Sequence, residues 1–258
     1  MRWLVFAADS SAQRAEWFTY LVMLLAAAAL TALTMQKVRS SLARKYVMAL
    51  TGLFWCLFLV GHLGGNLLMY VSGDAYNAYA EGLHRQEWLV KGAEVVLLYL
   101  LILHIYLALG LSKDNRTARG PAGYREVHTK REDRLAHGPV KPDYGMLVTG
   151  LVVLAFLILH WVDFTLHLRP DVQYEGRTPF QIAQSLLATW PTIVGYTIGC
   201  IFLGFHVAHG FQSAFQSLGI NHPKYNIAIR RFGIGFAWIV ALGFISFPWV
   251  IGLAMRPN

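Results

Sequence analysis

The chain has 258 residues, of which 56% are hydrophobic and only 14% charged. A soluble domain carries about 25% charged residues, so the composition excludes an ordinary water-soluble globular protein and points to helices that cross a bilayer. The net charge of +8 gathers in alternate loops, which makes it a topological signal and not a nucleic-acid-binding one.

The first apolar run, "WFTYLVMLLAAAALTALTM" at 17–35, is Ala-rich. Three readings stay open for it: an extra spanning helix, a signal-like segment, or a stretch upstream of a start at Met35. Residues 1–35 are therefore set apart from a membrane domain at 36–258, and no chemistry is assigned to them.

Five core spans follow, at about 46–71, 88–112, 144–168, 190–217 and 230–253, each near or above the roughly 20 residues a bilayer requires. The expected fold is an all-α integral membrane bundle of five core helices with a possible extra N-terminal helix. Of the 22 basic residues, 15 lie in the segments 36–45, 113–143 and 218–231, among them Lys37, Arg44, Lys113, Arg131 and Arg231. The intervening loops carry few: Arg85 and Lys91, then Arg169 and Arg177. Positive charge marks the cytoplasmic side, so the core helices run outward, inward, outward, inward, outward. The 113–143 loop also holds Glu126, Glu132, Asp133, His128 and His137. It reads either as a solvated loop near anionic lipid or as a docking surface for a soluble partner.

Each of the first four core helices carries a deep histidine: His62, His104, His160 and His206. Counting along the helices at about 1.5 Å per residue places His62 and His160 in the outer half and His104 and His206 in the inner half. Two imidazoles from facing helices at one depth suit a haem, which takes two axial ligands and an apolar slot. Zinc would want three or four clustered ligands. Two stacked haems would carry electrons between the membrane faces. His209, three residues beyond His206, shares its face, and spacing alone does not choose between them. Gly61, Gly64 and Gly65 around His62, and Gly204 and Gly210 around His206, would admit a flat macrocycle or simply close helix packing. Cys56 and Cys200 read as core residues.

Quinone chemistry needs polar groups near a haem. Candidates at the outer level are Glu81, His84, Glu87, Glu94, Asp163 and His167. Glu94 is an acid inside a span, with an ion pair to Lys91 as the plainer reading. Asp163 and Asn66, each one turn beyond an outer histidine, could orient an imidazole or meet a propionate.

Taken in order, "KYVMALTGLFWCLFLVGHLGGNLLMY", "VVLLYLLILHIYLAL", "HTKREDRLAHG", "TGLVVLAFLILHWVDF" and "GFHVAHGFQSAFQSLGINHPKYN" resemble the diheme cytochrome b membrane subunit of succinate dehydrogenases and quinol:fumarate reductases, in its single-subunit, five-helix form. The resemblance spans about 36–253 and leaves the N-terminal segment unexplained. It implies two haem b groups, the outer held by His62 and His160, the inner by His104 and His206. His206 lies 13 residues before Gly219, the family's spacing, which favours it over His209. It implies an FAD flavoprotein and an iron–sulfur subunit docked on the cytoplasmic face, membrane quinone as substrate, succinate chemistry in the flavoprotein, and a multi-pass place in a bacterial inner membrane. His137 and His128 would then lie near the inner haem edge or the docked cluster, or remain surface histidines. Some relatives carry a Glu two residues before the inner ligand of the fourth helix, for proton transfer. Gly204 stands there, leaving that route without its acid.

Two rivals remain. A proton-coupled transporter would show broken helices or internal repeats, and neither stands out. Many other quinone-linked cytochromes b place two histidines on one helix, which is not the pattern here.

Overall fold

The computed structural model describes residues 2–120 and 142–255. His128, His137 and most of the 113–143 loop lie outside the described residues. The described chain is helical without strands: α1 Arg2–Lys37, α2 Ser41–Val71, α3 Gly73–His84, α4 Glu87–Arg119, α5 Pro142–Phe164, α6 Pro179–Leu187, α7 Trp190–Ser217 and α8 Pro223–Phe247, which continues as a π-helical segment, Pro248–Ala254. Six of these helices are long and apolar enough to cross a membrane.

Local chemistry sets the boundaries. Ser40 and Ser72 cap α2 and α3 by accepting from Ala43 N and Ala75 N at 3.1 and 3.0 Å, and Thr178 with Gln181 forms a capping box on α6. Pro248 has no N–H to return to the Phe244 carbonyl, and the helix widens there into π geometry. In hydrocarbon the helix ladder is what satisfies the backbone, and apolar side chains face outward. Leu57 and Ile239 are 73% and 71% exposed.

The N-terminal run is a sixth helix of spanning length. It continues through Met35 to Lys37 and packs along α4, where Thr34 Oγ1 meets the Tyr99 hydroxyl at 2.8 Å.

Four helices make the centre. α2 packs on α4 and α7, α7 packs on α5, and α4 meets α5 only sparsely. The pairs α2–α5 and α4–α7 thus lie across the diagonals of a square bundle. α8 packs on α7 and α2 from outside. At the basic end, Arg44 of α2 pairs with Asp114 of α4 at 2.8 Å. At the other end α3, α6 and the π segment form a cap, joined by Phe180 N donating to Asn77 Oδ1 at 2.9 Å and by Gln184 Nε2 donating to the Met255 carbonyl at 2.6 Å.

Candidate functional site

The histidines meet across the diagonals. His62 of α2 and His160 of α5 have ring centroids 5.8 Å apart with planes crossed at 82°. His104 of α4 and His206 of α7 stand 6.4 Å apart at 68°. These are the two pairs expected from depth. No hydrogen bond joins the rings of either pair among the described residues. His62 stacks on Phe58 at 5.3 Å and also touches Phe244. His160 lies against Phe156 and Phe164.

Three of the four rings are held from behind by a hydroxyl. Thr51 Oγ1 lies 2.9 Å from the Met48 carbonyl and 3.0 Å from His104 Nδ1. Thr149 Oγ1 lies 2.8 Å from the Gly145 carbonyl and 3.2 Å from His206 Nδ1. Tyr196 OH donates to Asp163 Oδ2 at 2.9 Å and lies 3.4 Å from His160 Nδ1. A hydroxyl has one proton. Each of these gives it to a carbonyl or carboxylate, which has none to offer. The imidazole must therefore donate through Nδ1, leaving Nε2 with a bare lone pair. This is the arrangement in which a histidine ligates through Nε2, its other nitrogen fixed by an outer partner.

The two levels are well separated. Thr51, at the level of His104, stands eleven residues before His62 on the same helix, or about 16 Å along its axis. One cavity of about 660 Å³, lined mainly by apolar side chains, reaches all four imidazoles. The Trp55 indole lines it on α2, between the two levels, and its buried N–H has no acceptor among the described residues.

These residues fit a haem at each level. A metal bonded at about 2 Å to one nitrogen of each ring sets the ring centres about 6 Å apart, close to both observed spacings. Among the described residues no three His, Cys, Asp or Glu side chains cluster as a metal site. Two imidazoles per level would suit a group that supplies the rest of its metal's ligands itself. The orphaned indole N–H would suit a cofactor that brings an acceptor.

Beyond the outer pair lies a charged anchor. Asp163 is fully buried. Arg169, in the loop after α5, approaches it at 3.4 Å, donates to Thr192 Oγ1 at 2.9 Å, and clasps Asp171 at 2.8 and 2.7 Å. The hydrogen bonds to Asp171 raise the proton affinity of Arg169 and hold the Asp171 carboxyl below its usual range.

The remaining candidates separate clearly. His206 pairs with His104, while His209 does not line the cavity. Asn66 lines the cavity but donates to the His62 backbone carbonyl at 2.7 Å, not to its ring. Glu94 lines the cavity and pairs with Lys91 at 2.9 Å. Glu81 and His84 are exposed on α3, Glu87 is exposed at the start of α4, and none of the three lines the cavity. His167 has a left-handed backbone (φ 51°) and stacks near Tyr174. Nor are the glycines beside the histidines in sequence the ones against the rings. A Cβ on Gly61 or Gly64 would meet nothing within 4 Å, and one on Gly204 would meet Ala241 and Trp238 of α8. The close approaches come from neighbouring helices. A Cβ on Gly150 would sit 3.3 Å from the His206 ring, and one on Gly52 3.6 Å from the His104 ring.

A repeat in the sequence would have found the residues behind the rings. Tyr46, Met48, Thr51, Gly52, Leu53, Phe58, Leu59 and His62 recur, in register, as Tyr144, Met146, Thr149, Gly150, Leu151, Phe156, Leu157 and His160. These are eight identities over seventeen positions, a short internal similarity between α2 and α5, against the expectation that no internal repeat stands out. Comparison of the chain with family models, characterised proteins and solved structures gives no match.

Proposed function

We propose that the chain is the membrane-anchor cytochrome b subunit of a succinate:quinone oxidoreductase or fumarate reductase. The observation that carries the cytochrome reading is the holding of His104, His206 and His160 at Nδ1 by hydroxyls, within two crossed histidine pairs that line one cavity. In this reading His62 with His160, and His104 with His206, each hold one haem b. Bound there, the two groups supply one-electron transfer between the membrane faces. The protein's part is to orient the rings, to exclude water with the Phe and Leu lining, and to close the outer end with the α3–α6 cap.

The succinate link rests on the ordered motifs. On that basis an FAD flavoprotein and an iron–sulfur subunit dock at the basic, cytoplasmic end, electrons pass to or from membrane quinone, and the complex sits in a bacterial cytoplasmic membrane. A proton-coupled transporter would share the internal repeat, but α2, α4, α5 and α7 run unbroken past their histidines.

Purified protein should hold two haems per chain by quantitation and reduced-minus-oxidised spectra. His62→Ala and His160→Ala should remove one signal, and His104→Ala and His206→Ala the other. Protein without haem would sink the reading. Loss of the same signal in His62→Ala and His104→Ala would overturn the pairing. Co-purification of a flavoprotein with succinate dehydrogenase activity tests the partner assignment.

A further inference from the structure

The two levels differ in what stands behind their rings. Thr51 and Thr149 give their protons to backbone carbonyls of their own helices, so each inner ring is backed by neutral groups. At the outer level Tyr196 of α7 reaches His160 of α5 at 3.4 Å and commits its proton to a carboxylate, Asp163 Oδ2, at 2.9 Å. The other outer ring, His62, packs on Phe58 and Phe244 and has no hydrogen-bond partner among the described residues. Glu94 stands ten residues before His104, as Tyr196 stands ten before His206, but it turns to Lys91. Among the described residues one route therefore ties an outer ring to a charge, and it runs through Tyr196.

That charge lies outside the histidine cavity. Asp163 and Arg169 do not line it, and neither do Thr189 and Thr192. Asp163 is fully buried one turn beyond His160, and Tyr196 is 5% exposed, so water does not dilute their contact. Arg169 supplies the opposite charge that burial of a carboxylate calls for. It is fixed in turn by Thr192 Oγ1 at 2.9 Å, Thr189 Oγ1 at 3.2 Å and the exposed Asp171. A hydrogen bond to an ionised acceptor is the stronger kind, and in a dry interior it polarises the next bond along. The Tyr196 oxygen becomes a richer acceptor for the His160 Nδ1–H, and the ring a more basic ligand at Nε2.

We infer that Asp163 is a positioning residue of the outer level: acting through Tyr196, it makes His160 a more electron-rich ligand and so favours the oxidised form of the electron carrier that His160 holds. This rests on the reading of the histidine pairs as haem sites, where hydrogen bonding behind an axial ligand is one of the protein's levers on potential. The threonine-backed inner level is outside its reach.

The test is a potentiometric titration of the full-length protein in membranes, following both haem signals, with electron paramagnetic resonance of the oxidised form to report ligand basicity. Asp163→Asn keeps an acceptor for Tyr196 and removes the charge. It should raise the outer midpoint, so that at a fixed potential the reduced-to-oxidised ratio grows about tenfold, or about 59 mV for one electron, with the inner midpoint unmoved. Tyr196→Phe keeps the ring contact with Phe156 and should raise the outer midpoint by a similar amount. Asp163→Asn added to Tyr196→Phe should change the ratio by less than about twofold, because the route is already cut. An unmoved outer midpoint in Asp163→Asn, an equal effect with and without the Tyr196 hydroxyl, or an equal shift at both levels overturns the inference alone. If Asp163→Asn does not retain the outer signal, Tyr196→Phe decides: an unmoved outer midpoint there overturns the inference, and a raised one supports it. Absence of both haem signals in the native chain overturns the reading beneath, and this inference with it.

Discussion

Thr51 on α2 accepts a hydrogen bond from Nδ1 of His104 on α4, at 3.0 Å, because its own proton is committed to the Met48 carbonyl at 2.9 Å. One helix thus decides which nitrogen of its neighbour's ring keeps a free lone pair. Thr149 does the same for His206.

Thr51→Val keeps the side-chain shape and removes the acceptor. Haem retention at the inner level should fall roughly 10–100-fold, the usual cost of losing an outer partner. Thr51→Ser should restore it, and the outer signal should hold throughout. Haem titration with spectra resolves this, and equal loss of both signals would contradict the assignment.

Gly150→Ala should disturb the inner level, because the new methyl would lie 3.3 Å from the His206 ring. Gly61→Ala, whose methyl meets nothing within 4 Å, should leave both levels intact despite its place beside His62, and should stabilise α2 by about 0.5–1 kcal/mol. Spectra and thermal unfolding in detergent separate the two. A Gly61→Ala protein that loses the outer signal would restore that glycine to the site.

Asp163→Ala should be severe. It leaves the Tyr196 hydroxyl without its acceptor and part of the Arg169 guanidinium uncompensated. Breaking such a pair costs about 3–5 kcal/mol, toward the lower end here because Arg169 is 18% exposed. Asp163→Asn, which still accepts from Tyr196, should cost less. Unfolding midpoints that match the native protein would show that the anchor carries no stability.

The Arg169–Asp171 clasp should weaken in acid. Asp171 titrates below its ordinary range in the folded chain, chiefly through its hydrogen bonds from Arg169. The clasp's stability is therefore fully present above the unfolded carboxylate value, about pH 3.9, and fades as pH falls through the lower folded value. Asp171 is well exposed, its side chain at 47%, and water screens the pair, so the effect should stay below about 1 kcal/mol. Comparing unfolding at about pH 6 and about pH 3, Asp171→Asn should show the smaller acid loss. An identical loss would mean that the clasp does not report on folding.

Depth and hydropathy made the spans and the histidine pairing legible, because a helix converts residue count directly into distance along the membrane normal. What lies sideways was not legible. Which helix stands on which diagonal, that α1 packs along α4, and that Gly52 and Gly150 face the rings while Gly61 does not, all depend on rotation about helix axes and on lateral packing. A single weakly amphipathic span does not encode these. The threonines were within reach: Thr-Gly-Leu recurs eleven residues before His62 and before His160, a spacing that no helix propensity requires. Asp163 was visible, but Arg169 as its partner was not, since a loop must fold back to bring them together.

The similarity of α2 and α5 has a consequence for assembly. α2 and α5 share eight residues in register and stand across one diagonal of the bundle, with α4 and α7 across the other. Each half contributes one imidazole to each level, and each half supplies the threonine for its own inner ring. Neither half contains a complete site, and both contain half of two. Separated into an α2–α4 half and an α5–α7 half, the chain would form either level only when the halves associate. One continuous chain makes that association intramolecular, so each level forms at the effective concentration its linker sets.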